Sequence, residues 1–253
     1  MKAILAVMYR EYKIRISSLT WLFYDLLMPF AYLLIFGIGF DRAFSTGIML
    51  SGEFVTYNDF FLAGVLSMAC FGIAINTSYG FFVDRDNGIF YEFLTYPMTR
   101  GQFLLGKITF NCATSLVQTL IAVLLGAWVL EIGIRWELLL FVLAAVVLGT
   151  SGWFFFLTIF ALRIRRNDMF NTFINVAYFV LLFVSSLFYP IEPLPGWMQT
   201  VAYANPLTWH TDALRYFTIG LGDLSTIALE LVGFVLFLLA SFWLAVRSIQ
   251  RLI

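Results

Sequence analysis

The amino-acid sequence predicts an all-α integral membrane protein with six transmembrane helices, and three observations carry that prediction. Hydrophobic residues make up 62% of the 253 and charged residues 12%, at a mean hydropathy of +0.91, whereas soluble domains run at about 45–50% apolar and about 25% charged. Six apolar runs reach the roughly 20 residues that a helix needs to cross a hydrocarbon core, and none alternates as a transmembrane β-strand does. The cations gather on alternate connections, which is the pattern that retention of Lys and Arg on the cytoplasmic side produces.

Residues 1–19 come first. Ile4, Leu5, Met8, Tyr12, Ile16 and Leu19 share one helical face and Lys2, Arg10 and Lys13 another, with Arg15 out of pattern. This predicts an amphipathic helix lying in the membrane interface; a frayed basic tail is the plainer alternative. No small-residue cleavage site follows, so the segment does not read as a signal peptide. The expected spans are 21–40, 60–83, 112–130 (extended back to 103), 138–162, 169–189 and 227–246. The sizeable connections are 41–59, 84–102 and 190–224. With no repeat and no low-complexity linker, residues 1–253 read as one membrane domain.

With the N-terminus inside, the inner connections and ends carry Lys2, Arg10, Lys13, Arg15, Arg85, Arg100, Lys107, Arg163, Arg165, Arg166, Arg247 and Arg251; the outer ones carry Arg42, Arg135 and Arg215. Both termini are therefore expected in the cytoplasm, and the protein in a cell membrane, read as the bacterial cytoplasmic membrane. A formal net charge of zero gives no field to attract nucleic acid. Cys70 and Cys112 lie in apolar runs, which argues against a disulfide framework or a Cys metal site. One histidine cannot build a multi-His site, and little supports enzyme chemistry.

One motif misleads. "GQFLLGK", 101–107, matches the first seven positions of a P-loop, but Ile108 stands where a Ser or Thr would ligate Mg²⁺ and the segment leads into an apolar helix. "NTS" at Asn76 is a poor glycosylation acceptor because it lies inside the second span.

The connection after the second span reads "DRDNGIFYEFLTYPMTRGQFLLGK", 84–107. Asn87 and Gly88 break the span, "IFYEFLTY" makes a short amphipathic helix too brief to cross, and Pro97 limits it. Taken alone, its aromatic residues could simply anchor at the interface. Between the last two spans lies "NPLTWHTDALR", 205–215, with the single histidine.

These two stretches resemble the ABC-2 membrane family, the permeases of type-2 ABC exporters. Arg85, Asp86, Gly88, Pro97, Arg100 and "LLGK" resemble that family's loop between the second and third helices, and the later stretch resembles its Asn-Pro-x-Thr signature with an acid and an Arg downstream. The drug-resistance and lipo-oligosaccharide exporter permeases look most similar. The resemblance implies a coupling helix that docks into a separately encoded ATPase through Phe90, Tyr91, Glu92, Phe93 and Leu94. Many relatives carry its acid three residues after the glycine, where Tyr91 stands here and Glu92 follows. It also implies that 1–19 is the family's connecting helix and that 190–224 holds two short re-entrant helices dipping in from outside.

In that setting Asn205 and Pro206 suit an N-cap and first helical turn, and His210, Asp212 and Arg215 satisfy polar groups at an outer gate; contact of His210 or Trp209 with substrate is the alternative. Asp25, Asn171 and Asn175 are polar within spans. They either line a pathway or, for the asparagines, bond between helices. The implied function is the membrane subunit of an ATP-driven exporter that moves an amphipathic substrate out of the cytoplasm or inner leaflet. Its partners would be two ATPase subunits, a second permease copy (identical or similar) and membrane lipids, with no nucleic acid. No cofactor is expected in this chain, ATP and Mg²⁺ belonging to the ATPase. The rival readings are a partner-independent secondary transporter or channel, for which inverted repeats and broken helices are not evident, and a scaffold without transport.

Overall fold

A computed structural model describes residues 2–17, 19–43, 47–50 and 53–250. Helices α1 (Lys2–Ser17) and α2 (Leu19–Ala43) precede a short hairpin of β1 (Ile48–Leu50) and β2 (Glu53–Val55), in which Ile48 faces Val55. Then follow α3 (Tyr57–Asp86), α4 (Ile89–Phe93), α5 (Arg100–Val129), α6 (Leu139–Arg163), α7 (Asn167–Phe183), α8 (Gly196–Tyr203), α9 (Pro206–Ile219) and α10 (Leu224–Gln250). Apart from this pair of three-residue strands, the described elements are helical, as expected.

Local chemistry sets the helix ends. The Thr56 hydroxyl accepts from the Asp59 N–H and starts α3. Thr99 and Gln102 form a reciprocal capping box at the start of α5. The Asn205 side chain accepts from the Leu207 N–H, with Pro206 at the first position of α9, and Gly220 ends that helix in the left-handed region. α2 keeps Pro29 in its interior.

Among the described residues four helices are long and apolar enough to cross a membrane: Tyr57–Asp86, Arg100–Val129, Trp136–Arg163 (α6 with the preceding 3₁₀ turn) and Leu224–Gln250. α2 has 25 residues. The expected fifth span, 169–189, is corrected: α7 stops at Phe183 after 17 residues, about 26 Å of helix against a core of about 30 Å. The apolar run continues past that end because the chain from Ser185 to Leu187 is buried by protein, so its hydropathy records burial rather than helix.

α3 is the central post. In its apolar window 83% of residues are buried, against 17% in α10, which presents most of its surface outward. Phe61, Phe71 and Phe81 of α3 meet Phe188, Trp153 and Phe103 in turn. Near the start of α3, Gly64 permits a close approach: a Cβ there would lie 2.5 Å from the Leu187 carbonyl oxygen. Gly64→Ala should therefore cost about 1–3 kcal/mol through backbone displacement. Gly39→Ala, where a Cβ meets nothing within 4 Å, should be neutral or stabilise by up to about 1 kcal/mol; thermal unfolding of the detergent-solubilised proteins separates the two.

Candidate functional site

At the end of the bundle that carries α4, the P-loop-like stretch 101–107 is helical throughout. Its second glycine serves packing, since a Cβ on Gly106 would lie 2.7 Å from Val7 Cβ and 2.9 Å from the Ile4 carbonyl oxygen of α1. Its lysine serves an ion pair. Lys107 is 1% exposed, and its Nζ donates to Glu11 Oε1 at 2.9 Å and Asp84 Oδ2 at 2.8 Å. Arg10 donates through Nη1 (3.0 Å) and Nη2 (2.6 Å) to the two oxygens of Asp84 and also reaches Glu11 at 3.1 Å. Two acids and two bases thus join α1, α3 and α5 with no net charge. Burial opposes the charge on Arg10, but the hydrogen bonds and charges of Asp84 and Glu11 hold its pKa above the ordinary arginine value. Asp84, read from sequence as the start of a loop, is helical and buried.

Beside it, Arg85 donates to the Ala161 and Ile164 carbonyls at the end of α6, where a cation is favoured by the helix dipole. α4 sits on this platform. Phe90 is 0% exposed and packs on Phe81 and Phe103 at 5.1 and 5.4 Å between ring centroids, so it is a core anchor and not a surface contact as expected. Tyr91 and Glu92 are exposed, Phe93 and Leu94 partly buried, and the Arg10 guanidinium lies 5.4 Å from the Phe93 ring centroid. α4 is therefore in contact with α3 and α5 through Phe90 and with α1 and α5 through Phe93.

From this end a polar furrow runs along α3. Met68, Gly72, Asn76, Gly80 and Asp84 recur every fourth residue and so lie on one helical face. Two adjoining cavities follow them, one of about 410 Å³ lined also by Arg15, Tyr79 and Asn111, and one of about 280 Å³ lined also by Gln118, Asn175 and Tyr178. Asn76 lines both. The amides of Asn171 and Asn175 bond within α7, to Asn167 Oδ1 at 2.9 Å and the Asn171 carbonyl at 2.8 Å, rather than across to another helix. Asn175 thus faces the furrow, while the side chain of Asp25 lies outside the described residues. Sequence reading did not single out the stripe, although its fourfold recurrence of small and polar residues was available.

At the opposite end α9 closes the bundle. Asn205 caps its own helix and donates to the Leu181 and Val184 carbonyls at 2.8 and 2.7 Å, which finishes α7. His210, 2% exposed, bonds Ser67 Oγ of α3 at 2.9 Å and the Ala145 carbonyl of α6 at 3.1 Å, and stacks on Phe234 of α10. Arg215 pairs with Asp212 and donates to the Ser186 and Phe60 carbonyls at 2.7 and 3.3 Å. Its guanidinium lies 4.0 Å from the Phe60 ring centroid, and Ser186 Oγ donates to Asp212 at 2.7 Å. Pro206 occupies the first turn of α9.

A bundle of apolar helices long enough to span a bilayer, with a furrow along its central post, ion pairs at one end and a buried polar closure at the other, has the architecture of a multi-pass membrane protein. The pattern of the ABC-2 type transporter family matches residues 2–218, and the chain belongs to that family. It is a multi-pass membrane protein, the permease component of a transporter whose ATPase is a separate component and its partner. It is 26% identical over 239 residues to the transport permease ycf38 of Cyanophora paradoxa, covering 84% of this chain and 79% of that one. It is 29% identical over 217 residues to the daunorubicin resistance ABC transporter permease protein DrrB1 of Streptomyces coeruleorubidus, covering 83% and 73%. With the multidrug ABC transporter permease YbhR of Escherichia coli K12 it shares 28% identity over 162 residues, 63% of this chain and 43% of YbhR.

Lys107→Met should destabilise the protein by about 3 kcal/mol, because it leaves buried carboxylates with one fewer cation. Asn205→Ala should cost about 0.5–2 kcal/mol for the cap alone, with an added loss from the two exposed carbonyl ends of α7. Thermal unfolding in detergent, read against proteolysis after α1 and after α7, assigns each loss to its end of the bundle.

Proposed function

We propose that this chain is the membrane subunit of an ATP-driven exporter that moves an amphipathic compound, drug-like, lipid or lipid-linked glycan, out of the cytoplasm or inner leaflet. The furrow along α3 carries the proposal. It combines amide and phenol groups with Met68 and Pro29 at mid-bundle and charged groups at its α4 end, a lining suited to a molecule with polar and apolar parts. The names of DrrB1 and YbhR, resistance and multidrug permeases, support a drug-like cargo.

In this reading the α4 end is cytoplasmic, α7 together with the protein-buried chain from Ser185 to Leu187 makes the fifth of six crossings, and both termini lie inside. Two copies face each other across a path to which α7 presents Asn175. Two ATPase subunits, which hold ATP and Mg²⁺, dock on α4 through Tyr91 and Glu92. Closure of the ATPases displaces α4, and Phe90, Phe93 and the ion pairs carry the movement to α1, α3 and α5. Nucleotide thereby biases a two-state repacking of the bundle, while α9 keeps the outer end shut between strokes.

In vesicles reconstituted with the ATPase, ATP should drive accumulation of a fluorescent amphipathic drug or lipid; failure with all cargo classes despite hydrolysis would refute the exporter reading. Glu92→Arg should lower transport per ATP at least about tenfold while insertion is unchanged. Asn175→Leu should alter the ranking of cargoes, and His210→Ala should not. In a background lacking Cys70 and Cys112, Asn87→Cys should react with an impermeant thiol reagent from inside and Gln199→Cys from outside; the reverse pattern would invert the topology.

A further inference from the structure

A groove of about 850 Å³ separates the turn after α4 and the start of α5 from the last turns of α10, and Tyr91, Leu94, Met98, Arg100, Phe242 and Val246 are among its lining. The two walls are close at its floor, where a Cβ on Gly101 would lie 3.5 Å from Phe242 Cζ. Arg100 is the first residue of α5. At that position the free N–H groups and the positive end of the helix dipole disfavour a cation. The first turn of α5 contains no acid, and none is among the residues that line the groove. The Arg100 Nε is buried without a hydrogen-bond partner among the described residues, and a buried donor left unpaired is costly. A cation is thus held where the helix start opposes it and where its Nε has no acceptor among the described residues.

We propose that the groove between α4 and α10 receives an acidic side chain, flanked by apolar ones, of the ATPase subunit, and that Arg100 anchors it. The inference rests on the docking of α4, with which the groove shares Tyr91 and Leu94 and is therefore continuous. A guanidinium can hold a carboxylate through two parallel bonds, and the apolar walls suit the neighbouring side chains. A lipid phosphate fits less well, since among the described residues the lining offers one cation and is otherwise apolar or uncharged. The ATPase would then grip the last helix as well as the coupling helix, so that one movement of its surface pulls on both α4 and α10.

The test uses the full permease with its ATPase in lipid nanodiscs, in a background lacking Cys70 and Cys112. A benzophenone maleimide on Gln250→Cys, at the groove mouth, should form a photo-adduct with the ATPase, as should one on Tyr91→Cys. Arg100→Glu should weaken association of the two proteins at least about tenfold, and Arg100→Lys should retain part of the affinity as a point charge. An adduct at Tyr91→Cys with none at Gln250→Cys would overturn the groove and leave α4 docking intact. Silence at both positions would overturn docking as well. An adduct of Gln250→Cys with lipid alone would assign the groove to an anionic headgroup and refute the proposal. If Arg100→Glu does not fold, the adducts, made with Arg100 in place, still decide.

Discussion

The Lys107 ammonium, enclosed between the carboxylates of Glu11 and Asp84, is the contact on which the arrangement of α1, α3 and α5 depends. Among lipid tails, apolar contact between two helices gains little over contact with lipid, so helix placement falls to close packing and to polar bonds. An ammonium in that setting has few places to be stable. It requires both acids within hydrogen-bond reach, and Gly106 one position earlier lets α1 come near enough to supply one of them. Arg10 then completes the charge balance on Asp84 while lying over Phe93. α4, which carries the exposed Tyr91 and Glu92, is in this way seated beside these ion pairs.

The two ends use different chemistry. Near α4 the helices are joined charge to charge, a pairing that loses most when one member is removed. At the α9 end the polar side chains mostly find backbone: Asn205 on Leu181 and Val184, His210 on Ala145, Arg215 on Phe60 and Ser186. Between them the furrow keeps amide and phenol groups in an apolar surround.

Much of this was legible in the sequence where one local rule decides. The runs that became α3, α5, α6 and α10 stood out by length and apolarity, and Asn205–Pro206 announced a helix start because capping is a short-range effect. Asn87 and Gly88 marked the end of α3 for the same reason. The end of α7 was misplaced because Ser185 to Leu187 are covered by α3 and α9, and hydropathy cannot tell burial in protein from burial in lipid. Phe90 was read as a surface contact because a five-residue helix shows no clear face until its seat on Phe81 and Phe103 is known. The partnership of Lys107 with Glu11, 96 positions away, leaves no trace in any local pattern. The stripe on α3 was hidden by an apolar background that draws attention to length and away from period.

The closure by α9 has a consequence for heredity. Its side chains are donors and acceptors of specific shape, but much of what they bind on α6, α7 and the start of α3 is main-chain carbonyl, which every residue type offers alike. The instructions for sealing this end are therefore concentrated in one fourteen-residue helix and in a few fixed neighbours, among them Ser67, Ser186, Phe234 and Gly149, where a Cβ would run into His210 Nε2. Furrow positions such as Gly72, Asn76 and Asn175 are not among those contacts, and they can change the character of the furrow without erasing the seal. A lineage can rewrite what passes through such a protein while copying its stopper unchanged.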